Sequence, residues 1–271
     1  MIISFKNTIC VKDKVCSASL PILENFVSPY NATVVEKLAN VNVSSEVLVE
    51  NDIKYSEGKI SLRPTYGVVS RYGLITPSAS FDTIGVTGTD AKDMAKVFEN
   101  MLGIDENDPT TIEYKEYECK EARIAKDVKL LSKDYVSAAF DMLYYAEYST
   151  DLAYLDGVRF GVRAKSCKDW EDVIRKSRTE GFTEEQKHKI ILGTVLVSNK
   201  WTDEYYKRAK TIQNKVKAEY EEIFKKYDVI ETSVEDKAPL FAGIPSLFVG
   251  GVQLVGPKFS EKLLLKIGGE F

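Results

Sequence analysis

The apolar positions of this chain fall into two regimes. Up to about residue 88 they come in short clusters. Ile2-Ile3, Ile9, Val11 and Val15 lie near the start, and further runs between Gly58 and Gly85 are broken by Pro64, Gly67, Gly73 and Pro77. Such spacing predicts short strands joined by turns. A first helix is expected over Asn31–Leu38, where Val34, Val35 and Leu38 share a side and Asn31 offers an N-cap. Residues 40–57 are polar and weakly patterned and give no clear element. Asp90 is expected to cap a helix that carries Val97, Phe98, Met101 and Leu102 on its apolar side and ends at Gly103.

Beyond that glycine the pattern turns helical. Leu130–Leu155 is apolar at helical spacing, and Thr183 before two glutamates opens a helix to about Val197. Trp201–Tyr227 carries Tyr205, Tyr206, Ile212, Val216, Tyr220, Phe224 and Tyr227 on one stripe, which predicts a long amphipathic helix. A strand at Asp228–Ile230 follows, and the glycine-punctuated run Leu240–Val255 suits buried strands beside loops. The sum is a single α/β domain over 1–271, without repeat, heptad or low-complexity tract.

Composition narrows the chemistry. With 37 basic and 41 acidic residues the net charge is −4, which is no nucleic-acid clamp. A chain of 271 residues with 44% hydrophobic content buries a core without a metal or disulfide staple. Cys10, Cys16, Cys119 and Cys167 are too scattered for a disulfide framework, so a reducing compartment is expected. Cys10 and Cys16 lack a zinc spacing, and no protein-bound metal is expected. No run of apolar residues is long enough to span a membrane, and Met1–Lys6 matches neither a signal nor a transit peptide. The single histidine, His188, excludes multi-histidine metal sites and reads as an exposed helix residue. Trp201–Lys210 sets aromatics beside bases, a pattern that fits a snorkelling helix face better than an RNA site. None of the 16 glycines precedes Gly58. A phosphate-cradling loop or nucleophile elbow needs glycine's close backbone approach and is excluded from that stretch.

One block carries a resemblance. Arg63-Pro-Thr-Tyr-Gly-Val-Val-Ser-Arg-Tyr-Gly-Leu74, followed by Pro77-Ser-Ala-Ser-Phe-Asp-Thr-Ile-Gly85, resembles the stretch just downstream of the signature region in amidase signature enzymes, most of all the A-type subunits of glutamyl-tRNA(Gln) amidotransferases. Further blocks agree in order. Ile3–Cys10 is similar to the family's lysine-bearing strand and Leu23–Leu38 to its next helix. Tyr154–Gly161, Ser177–Phe182 and Ile191–Thr194 are similar to parts of its C-terminal half. The resemblance implies a mixed sheet flanked by helices and trimmed in its central core. Residues 1–57 would hold the lysine strand and helix, 58–103 the post-signature block, and 104–271 a helical C-terminal half.

It also implies a mechanism in which a serine nucleophile, a bridging serine and a lysine base hydrolyse glutamine to ammonia, used to convert Glu-tRNA(Gln) to Gln-tRNA(Gln). Burial lowers such a lysine's pKa so that it can take the serine proton. By motif position that lysine is Lys6. Asp236 stands where the family has a substrate-contacting aspartate. Lys189, or His188 beside it, stands where the family has an arginine for the substrate carboxylate; lysine keeps the charge but loses the bidentate fork. The implied partners are B-type and C-type amidotransferase subunits, with tRNA held mainly by a partner. ATP and magnesium would be used there, with no cofactor on this chain. The compartment is mitochondrial or cytoplasmic.

The departures are as informative. The family's two glycine- and serine-rich segments belong between the Asn31 helix and Arg63, yet Asn40–Ile60 holds only Val-Asn-Val-Ser-Ser-Glu and a polar stretch. Ser44 and Ser45 have no neighbouring glycine to place them on a sharp exposed turn, and Ser17 and Ser19 read as structural. A second shortening leaves Glu231–Pro239 in place of a longer segment. Three readings follow: a shortened A-type subunit, a catalytically dead amidase fold serving as a binding or scaffold module, or a chain whose coding segment has been spliced out.

Overall fold

The computed structural model describes residues 2–126, 128, 130 and 133–270. Eight strands are described: β1 (Ile3–Phe5), β2 (Val47–Glu50), β3 (Ile60–Arg63), β4 (Gly85–Gly88), β5 (Ile124–Lys126), β6 (Val229–Ser233), β7 (Ser246–Val249) and β8 (Val252–Val255). They form one sheet in the order β1-β2-β4-β3-β7-β8-β6-β5. The two outermost pairs, β1/β2 and β5/β6, are parallel, and β2/β4, β3/β4, β3/β7, β7/β8 and β6/β8 are antiparallel. Around the sheet lie α1 (Thr33–Lys37), α2 (Ala91–Met101), α3 (Lys133–Asp151), α4 (Trp170–Gly181), α5 (Glu184–Val197), α6 (Lys207–Phe224), α7 (Ala238–Ala242) and α8 (Glu261–Gly268).

Three apolar clusters hold these layers. The first packs Val47, Val49 and Val86 of the sheet against Met94 and Phe98 of α2 and Leu264 of α8. A second joins α3, α6 and the far end of the sheet through Leu143, Val216, Tyr220, Ile230 and Phe241. A smaller third ties the chain's early turn to α3 and the α4–α5 junction through Ile22, Leu152, Leu155 and Phe182. Removing this apolar surface from water is the main favourable term in folding.

Local signals place several elements as expected. Asp90 caps α2, its carboxylate accepting from the amides of Lys92 and Asp93 (2.8 and 2.9 Å). Thr183 opens α5 with a capping box closed by Gln186. The helix expected from Leu130 is described from Lys133, residues 131 and 132 lying outside the described residues.

Other expectations are corrected. Asn31 does not cap α1; Ala32 holds that position, and Asn31 Oδ1 instead accepts from the Lys12 amide at 2.8 Å. Residues 40–57 contain β2, a strand too short for periodicity to reveal. The early apolar clusters give one short strand, within the one or two that their spacing predicts, and beyond it Ile9 and Val15 make only single bridges to Leu74 and Val27. Trp201–Tyr227 is not one regular helix, because Thr202–Tyr206 forms a π-helical turn ahead of α6. Among the described residues no helix is long and apolar enough to cross a membrane.

Candidate functional site

Lys6 leaves β1 still in register with β2, its amide donating to Val49 O at 3.0 Å. The side chain therefore emerges beside Glu50, the last residue of β2. Lys6 Nζ lies 3.2 Å from Glu50 Oε2 and 3.2 Å from Asp52 Oδ2. Glu50 is buried, and its other carboxylate oxygen accepts from Thr87 Oγ1 at 2.8 Å.

Asp52 sits on the short link Asn51–Lys59 between β2 and β3. That link is tied down at two points. Thr8 Oγ1 donates to Asn51 Oδ1 (2.8 Å), and the buried Arg63 guanidinium donates to the Ile53 carbonyl (2.6 Å) while lying over the Phe248 ring. The link that runs where the serine-bearing segments were expected thus delivers a carboxylate to the lysine. Burial pulls the Lys6 pKa down, but the carboxylates of Asp52 and Glu50 outweigh it and hold the ammonium above its usual value. Among the described residues no hydroxyl hydrogen-bonds Lys6 Nζ.

Lys6 opens into a hollow of about 440 Å³ whose wall includes Arg63, Asp82, Tyr144 and Lys189. Two of the residues read from sequence, Lys6 and Lys189, therefore face one cavity. Lys189 arrives on α5, its Nζ 2.7 Å from Glu185 and above the Tyr148 ring. Asp236 lies elsewhere. Its carboxylate accepts from the Ala238 amide at 2.9 Å, at the start of α7, and it lines a separate hollow with Tyr220 and Thr232. His188 is exposed. Ser44 and Ser45 direct their hydroxyls and amides to Asp93 Oδ2 at 2.7–2.9 Å. They precede β2, at the opposite end of that strand from Glu50, so neither joins the lysine.

Sequence reading missed Glu50, Asp52, Arg63 and Asp82. Arg63 and Asp82 lay inside the resembling block, which was the only signal for them. Burial lifts the Asp82 carboxyl to about 6, against the opposing hydrogen bond donated by Thr76 Oγ1. The folded state therefore takes up a proton between pH 4 and 6 that the unfolded chain releases, and stability falls as pH rises through that window. Asp82→Asn is expected to flatten this part of the profile and to raise stability at pH 8 by about 2 kcal/mol. Urea unfolding at pH 4.5 and pH 8 checks it, and a variant that is less stable than the parent at pH 8 contradicts it.

The site can thus hold a polar ligand between charges of both signs, with its lysine already protonated and paired. The amidase family profile matches residues 58–130 and 118–247. The A-type subunit of the Vesicomyosocius okutanii glutamyl-tRNA(Gln) amidotransferase is 27% identical over 394 residues, covering 98% of this chain and 82% of that protein. Since this chain has 271 residues, a large internal portion of that relative has no counterpart here. The crystal structure of the corresponding subunit from Thermotoga maritima matches with a TM-score of 0.64 at 20% identity, covering 97% of this chain and 81% of that one. Peptide amidase from Stenotrophomonas maltophilia matches with a TM-score of 0.74 at 17% identity, covering 98% and 81%. A family match through most of the chain, on a fold these solved amidases share, means that the chain belongs to the amidase signature family.

Proposed function

We propose that this chain is a shortened A-type subunit of a tRNA-dependent glutamyl-tRNA(Gln) amidotransferase, and that it has no glutaminase centre of its own. The observation that carries the second part is the clamp on Lys6. A general base must give up its proton before it can take one from a serine, and two carboxylates at 3.2 Å oppose that. The subunit role draws on the 27% identity to a protein named as such a subunit. It also draws on α5, where Ile191, Leu192, Val195 and Val197 are exposed and would suit burial against another protein. B-type and C-type subunits would be the partners, and ATP, magnesium and tRNA would act mainly on them. The same clamp favours a second reading, a catalytically silent scaffold of amidase fold, which differs only in its partners.

Affinity capture of the full chain from its source cells, with intact-mass analysis of the bait, separates the readings. A 30.5 kDa bait that brings down B-type or C-type subunits supports the first. The same bait without them leaves the scaffold reading. Ammonia release from glutamine by the purified chain, abolished in Lys6→Ala, overturns both.

A further inference from the structure

A pair of cysteines next to this site is built like a redox device. Cys10 and Cys16 flank a turn in which the Lys14 amide donates to Val11 O (3.0 Å). The chain then runs back against residues 26–28, with Cys16 N on Phe26 O (2.9 Å) and Ser28 N on Lys14 O (2.9 Å). Cys10 is held from the other side, its amide on Gly73 O (2.8 Å) and its carbonyl accepting from the Ala32 amide (2.7 Å). This scaffold brings the two Sγ atoms to 3.7 Å. They have to close to about 2 Å to bond, with the turn already formed.

The two sulfurs differ in surroundings. Cys10, itself 1% exposed, lines a hollow of about 890 Å³ whose wall includes the exposed Tyr30, Tyr154 and Phe160. Cys16 is not in that wall and donates to the Asn7 carbonyl at 3.2 Å. The Cys16 sulfur 3.7 Å away, aided by Ser28 and Tyr30 and opposed by burial, holds Cys10 below the ordinary thiol range, while Cys16 is held above it. A depressed thiol at the wall of a hollow is the reactive partner of such a pair.

We propose that Cys10 and Cys16 form a peroxide-responsive dithiol, with Cys10 as the attacking sulfur and Cys16 as the resolving one. In the first step the Cys10 thiolate attacks one oxygen of a hydroperoxide. The O–O bond breaks, the sulfur becomes a sulfenic acid, and the leaving oxygen departs as water or alcohol after taking up a proton. In the second, the Cys16 sulfur attacks the Cys10 sulfur, the S–O bond breaks, and water leaves with the Cys16 proton as the S–S bond forms. Two thiols and one hydroperoxide, with hydrogen peroxide as the oxidant, give one disulfide and two waters. Oxidation also removes the Cys16 bond to the carbonyl of Asn7, the residue after Lys6, so the redox state reaches the strand end that carries the lysine. The proposal is independent of the amidotransferase reading.

The test uses the full wild-type chain, so it does not depend on a variant folding. The reduced protein is treated with graded hydrogen peroxide, denatured in N-ethylmaleimide and digested without reductant. Cys10 and Cys16 are expected to lose labelling together, at peroxide doses about tenfold below those that affect Cys119 or Cys167. A Cys10–Cys16 linked peptide should appear and dithiothreitol should restore both labels. In Cys16→Ser, dimedone is expected to trap a sulfenic acid on Cys10. Labels on Cys10 and Cys16 that persist to the doses at which Cys119 and Cys167 oxidise, or sulfinic acid on Cys10 without the linked peptide, overturn the proposal.

Discussion

Gly193→Ala is expected to destabilise the protein by about 3 kcal/mol, through the contact that seats α5 on α3. A Cβ at this buried position would lie 1.8 Å from the Tyr145 carbonyl oxygen, 2.6 Å from its carbon and 2.8 Å from Ser149 Cβ. Two of these atoms are α3 backbone, which cannot swing aside as a side-chain tip can, so the helices must separate. Elsewhere α5 is seated by half-buried Ile190 on the cluster of Leu152 and Phe182 and by Lys189 over the Tyr148 ring. Gly193 is its only buried residue, while Ile191 and Leu192 are 60% and 51% exposed. Its N-terminal end is secured by the Thr183 cap and by Gln186 Nε2 on the Ser19 carbonyl at 3.2 Å. Lifting α5 also withdraws Lys189 and Glu185 from the cavity that Lys6 faces. Urea unfolding gives the stability change; a loss below about 1 kcal/mol would mean that α5 shifts on α3 at little cost.

How much of this was legible in the sequence depends on how local each determinant is. The caps at Asp90 and Thr183 act within three residues of themselves, and both helices begin where those residues stand. Lys6 is singled out only by the local resemblance of Ile3–Cys10 to the family's lysine-bearing strand. Its carboxylate partners are not singled out, since Glu50 and Asp52 meet Lys6 only once β1 pairs with β2 across more than forty residues. Asn31 shows the converse. Its side chain suits a cap, but a loop amide from Lys12 takes the bond. Gly193 reads in sequence as a weak helix position. Its reason, the close approach of α3, exists only in the folded packing.

Lys6→Ala is expected to lower stability by about 1–2 kcal/mol at pH 7.5, and Glu50→Gln in the same chain to recover most of that loss. The reasoning runs through Glu50 more than through the lysine. Glu50 is 8% exposed, with one carboxylate oxygen satisfied by Thr87 and the other, among the described residues, by Lys6 alone. Deleting the amine leaves a buried anion short of its cation, whereas the amide of glutamine carries no charge to compensate. Asp52 contributes less because it is more exposed and keeps Lys54 at 3.3 Å. The sign with pH follows from the raised Lys6 pKa. Its contribution is complete below the unfolded lysine value of about 10.4 and fades only as pH climbs past it, so pH 7.5 reads the full effect. Neither the single nor the double variant should change ammonia release from glutamine. A lysine poised as a neutral base predicts the reverse on both counts. Its removal would relieve a buried, poorly solvated amine and leave stability equal or higher, Glu50→Gln would rescue nothing, and any ammonia release would vanish with it. Denaturant unfolding of the four chains of this cycle, with ammonia measured on each, distinguishes a structural cation from a base.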